Sequence, residues 1–189
     1  MTEVKEADLI AEGLRSYPKA FVALNEFARS VISEIREAAG QELESLSKAM
    51  QLDLKQDEIG DFVRPNRLAT ANLRDACLGV RVDRIGRSGW GVYFYLWWSK
   101  NTPRLSASIW LRDAAVADSL MSAMSAAERV ESTARTELYG EHEIFVSREL
   151  SPESPEKLTE FMQDVIQEFS DLWTKVGGLE RFLKNVENP

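Results

Sequence analysis

Between Gly79 and Arg112 the chain alternates residue types with a period of two instead of spacing apolar residues three and four apart, and no other feature restricts its fold as strongly. Three runs there, Gly79 to Ile85, Gly89 to Trp98 and Arg104 to Arg112, are rich in β-branched and aromatic residues. Two short connections part them, Gly86 to Gly89 and Ser99 to Pro103, both made of residues that favour tight turns. A parallel pair would need a crossover of a dozen or more residues, so loops this short leave only antiparallel neighbours. The spacing predicts a three-stranded antiparallel meander.

Side chains alternate faces along a strand, which sorts this segment into two surfaces. Trp90, Val92, Phe94, Leu96 and Trp98 share one face with Val80, Val82, Leu105, Ala107, Ile109 and Leu111, an apolar set that has to be core. The other face collects Tyr93, Tyr95 and Trp97, with Arg81, Asp83, Ser106, Ser108, Trp110 and Arg112 as neighbours. Seven of the 17 aromatic residues lie between Trp90 and Trp110, so both faces are ring-rich and only their polar content separates them.

Helical spacing frames the sheet. Val4, Leu9, Ile10 and Leu14 suit a short helix that stops before Tyr17-Pro18, because a residue ahead of proline avoids helical backbone angles; Pro18 then opens a second helix. In that helix Phe21, Leu24, Ala28, Val31, Ile35 and Ala38 recur three and four apart, and Leu43, Leu46 and Met50 continue after a phase shift near Gly40. Its opposite face carries Glu26, Arg29, Glu34, Arg36 and Glu37. Such a helix can lie on a sheet or pair with a partner helix. Residues 51–78 are assigned no element: Gly60, Pro65 and Asn66 mark irregular structure, and Asn72 to Leu78 suits a helical turn or a strand entry. Asp113 is placed to cap a helix running from Ala114 to about Arg135, with Val116, Leu120, Ala123, Met124 and Ala127 on one side. After a break at Gly140, Glu143 to Leu150 alternates as a further strand, Ile144 and Val146 against Phe145 and Ser147. In the last long helix Ser154 is the cap, Pro155 the first position, and Leu158, Phe161, Met162, Val165, Ile166, Phe169, Leu172, Trp173 and Val176 the apolar stripe, ended by Gly177-Gly178.

The expected architecture is one α+β domain over residues 1–189, with a helical N-terminal part (1–60), a sheet with an inserted helix (79–150) and a C-terminal helix (151–189). Its antiparallel sheet would be the three-strand meander plus one further strand, packed with the long N-terminal helix, the middle helix and the C-terminal helix. This element order resembles the α+β fold of type III secretion chaperones, which are acidic and cytoplasmic; no motif is shared, and the resemblance implies a fold and no function.

Charge is unevenly spread. The net charge is −8. Residues 1–60 carry 7 basic and 12 acidic side chains, residues 61–112 carry 9 and 3, and residues 113–189 carry 7 and 16. Eight of the nine central cations are arginines, whose planar guanidinium suits carboxylates, phosphates and aromatic faces. Their anions are either the protein's own acidic helices, laid over this part of the sheet, or an external partner. No apolar run approaches the ~20 residues of a membrane span. Glu3, Glu6, Asp8 and Glu12 stand where a secretory signal would be basic and then apolar, so the expected location is cytoplasmic, away from membranes.

The counts also restrict chemistry. With one histidine, His142, and one cysteine, Cys77, a single chain holds no His/Cys zinc cage. His142 beside Gly140 suits an exposed turn, and Cys77 between Ala76 and Leu78 a small buried hydrophobe. Gly86 to Gly91 contains three glycines but joins two strands and lacks the lysine of a phosphate loop. The tripeptide Asp53-Leu54-Lys55 falls outside any strand where a nuclease would need it, and no nucleophile elbow is present. No catalytic residue, metal or cofactor is assigned.

What stands out is the mixed face. Tyrosine and tryptophan offer rigid contact area with a polar handle, and arginine adds directional charge, so Arg81, Tyr93, Tyr95, Trp97, Trp110 and Arg112 form the candidate binding site. The expectation is a non-catalytic, cytoplasmic interaction or regulatory module that contacts another protein or a second copy of itself. Two alternatives use the same residues differently. The rings could stack bases while arginines hold phosphates of nucleic acid or a nucleotide. Or the acidic helices could mimic a polyanion toward a basic partner protein.

Overall fold

A computed structural model of the protein describes residues 3–63, 77–84, 89–99, 102–125, 131–135, 141–150 and 158–187. Helix α1 runs unbroken from Glu3 to Met50. The expected stop before Tyr17-Pro18 does not occur. Proline removes one hydrogen bond, the one to the Leu14 carbonyl, and Pro18 sits on an exposed stretch, so the helical spacing on either side carries the helix through. The helix ends at Gln51, whose φ of 56° is left-handed.

A turn of 3-10 helix, Gln56–Glu58, leads into strand β1, Gly60–Val63. Then come β2 (Cys77–Arg84), β3 (Trp90–Ser99) and β4 (Thr102–Leu111). Helix α2, Ala114–Ser125, opens as expected, with the Asp113 carboxylate accepting the Val116 N–H at 3.0 Å. Strands β5 (Glu131–Arg135) and β6 (Glu141–Glu149) follow, then helices α3 (Leu158–Val176) and α4 (Glu180–Glu187). The expected cap at Ser154 and Pro155, and the turn residues Gly86 to Ser88, lie outside the described residues.

The sheet has six strands in the order β1-β2-β3-β4-β6-β5, every pair antiparallel. The fold class is the expected α+β one, with two more strands than the sequence spacing indicated. Residues 131–135, expected at the end of the middle helix, instead pair with β6, and β1 comes from the stretch assigned no element. Both are outer strands, and both satisfy backbone N–H and C=O groups that β6 and β2 would otherwise leave unpaired.

One hydrophobic cluster takes in Ile35 and Leu46 of α1, Val80, Phe94 and Ile109 of the sheet, Leu120 of α2, Phe169 and Trp173 of α3 and Phe182 of α4. All eleven strand residues expected on the core face join it, Trp98 only at its rim. Polar contacts tie the helices to the strands: Arg36 of α1 pairs with Asp61 of β1, and Arg148 of β6 reaches Asp164 at 3.3 Å and Glu168 at 3.0 Å on α3. The ends of α1 and α3 also meet. The Leu179 N–H donates to the Met50 carbonyl at 2.8 Å. Gly178, with φ of 80°, has that carbonyl 3.0 Å from where a Cβ would stand, so conformation and space both require glycine there.

Candidate functional site

Because the described buried apolar side chains of all four helices belong to the cluster on one face of the sheet, no described helix contributes to the other face. The strand register assembles that face. Arg81 lies opposite Tyr93, and Tyr93 opposite Ser108, which faces Phe145. Gly79, Tyr95, Ser106 and Ser147 form the next row; Gly91, Trp110 and Glu143 form another, and Cys77, Trp97 and Arg104 a fourth. The floor of the two central strands is small: Gly91, Ser106 and Ser108 are all buried beneath larger neighbours.

Small floor residues let the rings lie over the sheet. A Cβ on Gly91 would stand 2.7 Å from the Tyr93 ring. Phe62 of β1 meets Tyr93 edge-on with centroids 4.9 Å apart, and Tyr95 at 5.9 Å; Trp97 meets Phe145 at 6.2 Å. These are favourable edge-to-face geometries that hold each ring in one orientation.

Hydrogen bonds lock the layer from below. The Tyr95 hydroxyl donates to Glu143 Oε1 at 2.8 Å, and the Ser108 hydroxyl donates to the same oxygen at 2.7 Å. The Trp97 indole N–H donates to Ser106 Oγ at 2.7 Å, and Arg104 Nε to Ser147 Oγ at 3.0 Å. The Trp110 indole N–H is buried with no hydrogen-bond partner among the described residues. Burial pushes the Tyr93 phenol above its ordinary pKa, while the neighbouring Arg81 pulls the other way.

Five of the six candidate residues therefore share one face. Tyr95 is buried within it, Tyr93, Trp97 and Trp110 are half-buried, and Arg81 is exposed with Asp83 3.4 Å away. Arg112 lies one residue past the end of β4, exposed, so strand alternation does not place it. Among the described residues, the carboxylates that bond to side chains of this surface, Asp83 and Glu143, come from strands. Sequence reasoning missed Glu143, Phe62 and Arg104 as members. Alternation in β6 had set Phe145 and Ser147 apart from Ile144 and Val146, and extending it by two residues would have put Glu143 with Phe145. His142 sits inside β6, half-buried, rather than in an exposed turn. Cys77 is 3% exposed, as its apolar neighbours indicated.

Glu143 holds two buried hydroxyls at once, which makes it the polar centre of the layer. Glu143→Ala should cost about 1–3 kcal/mol because it strands the Tyr95 and Ser108 donors away from water. Glu143→Gln keeps an acceptor and should cost clearly less; denaturant unfolding of both variants checks the difference.

Among the described residues no three His, Cys, Asp or Glu side chains converge as metal ligands, and no helix is long and apolar enough to cross a membrane. Comparison of the chain with protein-family models, with curated proteins and with solved structures finds no match, so the likeness to secretion chaperones stays one of element order.

Proposed function

We propose that this protein is a non-catalytic interaction module that takes a partner protein on the ring-bearing face of its sheet. One observation carries the reading: Tyr93, Trp97 and Trp110 are half-buried on a face that no described helix contributes to, where Ser106 holds the Trp97 indole and the Phe62 ring meets Tyr93 edge-on. Rings held rigidly at a surface lose little entropy on binding, which is how aromatic anchors come to dominate interfaces. Arg81 and Asp83 at one end add charge of both signs, suited to a protein surface rather than a uniformly charged ligand.

The test is a photoreactive benzoylphenylalanine placed at Trp97 and, separately, at Lys175, an exposed position on α3. A single protein adduct is expected from position 97 and none from 175. Equal labelling from both positions, or none from 97, would sink the reading. The nucleic-acid alternative needs Arg81 and Arg112, both exposed, to hold phosphates beside the rings, but the same face carries the Glu143 carboxylate, bonded to Tyr95 and Ser108. Single-stranded oligonucleotides are therefore expected not to bind at any salt concentration. A tight complex that weakens steeply with salt, as counterion release requires, would put that alternative first.

A further inference from the structure

The apolar stripe that seats α1 in the core does not stop where the core stops. Val31, Ile35 and Ala38 are buried in the cluster, with Ala28 at its rim, and α1 packs chiefly on α3 and β2. Along the same unbroken helix Leu24, Phe21, Tyr17, Leu14, Ile10 and Ala7 continue the alternation of four- and three-residue steps toward the N-terminus. Yet from Pro18 to Ser30 every residue with a described side chain except Ala28 is exposed, Val22 at 54%, Leu24 at 64% and Phe27 at 48%. Over residues 18–30, roughly 20 Å at 1.5 Å per residue, Ala28 alone among the described side chains reaches the core. Helices gain most of their stability by packing an apolar face, so the stripe calls for a partner.

Charge and side-chain size indicate which partner. Residues 3–14 carry Glu3, Glu6, Asp8 and Glu12 against Lys5, whereas residues 15–30 carry Arg15, Lys19 and Arg29 against Glu26. Two copies running in the same direction would set acid beside acid. Running oppositely, each acidic end lies beside the basic part of the other. The 3-4 alternation is that of coiled-coil core positions, and in the opposed register centred between Leu14 and Tyr17 the layers match large with small: Leu14 with Tyr17, Ile10 with Phe21, Ala7 with Leu24. Pro18 falls off those positions and does not interrupt the seam. The two Tyr17 and two Phe21 rings, at ~150–250 Å² each, with the aliphatic layers reach the ~1,200 Å² of a stable interface. The globular parts would sit at opposite ends, clear of each other and with both sheet faces free.

We propose that residues 3–27 of α1 form an antiparallel coiled coil with the same segment of a second copy of this chain. Sedimentation equilibrium of the full chain should show a dimer. Phe21→Glu, which puts a charge in the seam, should weaken it about thirtyfold or more while leaving the thermal melt of the monomer unchanged. Orientation is read by cysteines. Under oxidised glutathione, a mixture of Ile10→Cys and Phe21→Cys chains should form the 10–21 disulfide, and Ile10→Cys alone should not cross-link. Three results would overturn the proposal: a monomer at hundreds of micromolar, an undiminished dimer in Phe21→Glu, or efficient self-linking of Ile10→Cys, which marks a parallel pair. Because the sheet face plays no part in this dimer, its failure would leave the partner-binding reading standing.

Discussion

Phe169→Ala should remove about 3–5 kcal/mol of stability, the cost of emptying an aromatic site in a packed core. Phe169 is fully buried in the middle of α3, with its ring edge-on to Trp173 at 5.7 Å, and that helix packs both on α1 and on strands β4 and β6. The cavity would therefore open where three layers of contact meet, leaving little room for one neighbour to collapse into it. Against a typical total of about 5–15 kcal/mol, a loss of this size takes a large share of the protein's stability. Denaturant unfolding measures it. A loss below about 1 kcal/mol would mean that the α3 stripe is not the core it is described as.

Gly79→Ala is the second large effect, and its cause is crowding. Gly79 sits on β2 between Phe62 and Tyr95, and an added Cβ would stand 2.0 Å from the Phe94 carbonyl oxygen and 2.6 Å from the Tyr95 Cα. Those are backbone atoms of the paired strand, so no change of rotamer relieves the overlap; β2 and β3 have to move apart. The expected cost is about 3 kcal/mol or more, at the upper end for overpacking. Moving β3 also shifts Tyr95, so its bond to Glu143 should weaken along with the strand pairing. Gly60→Ala is the control. Nothing lies within 4 Å of its Cβ position, and that substitution should change stability by no more than about 0.5 kcal/mol. Equal losses in the two variants would show that strand propensity, and not the close approach of β2 to β3, makes Gly79 necessary.

The two strongest effects fall on opposite sides of the sheet for related reasons. On the helix side large side chains fill the space between layers. On the other side small residues clear a floor, and Gly79, Gly91, Ser106 and Ser108 let Tyr93, Tyr95 and Trp97 lie close to the strands. The result is a thin second layer of rings, with Tyr95 and Phe145 buried outside the main hydrophobic cluster.

Local spacing alone determined a good deal about this protein. Period-two alternation in β2, β3 and β4 placed all eleven expected core residues and five of the six candidate residues on their faces, because consecutive side chains on a strand must point to opposite sides whatever the strand packs against. The same holds for the α3 stripe and for Asp113 as a cap, each decided within one or two turns of helix. Other features needed the assembled sheet. Strands β1 and β5 are four and five residues long, too short for a period to register, and became strands because sheet edges had backbone groups to pair. Pro18 was a sound reason to end a helix and did not end one, since a single lost hydrogen bond is outweighed by the turns on either side. Glu143 could not be joined to Tyr95, 48 positions away, until β4 and β6 were neighbours. Strand order is set by which arrangement buries the most apolar area with all backbone groups paired, a property of the whole chain that no window of its sequence contains.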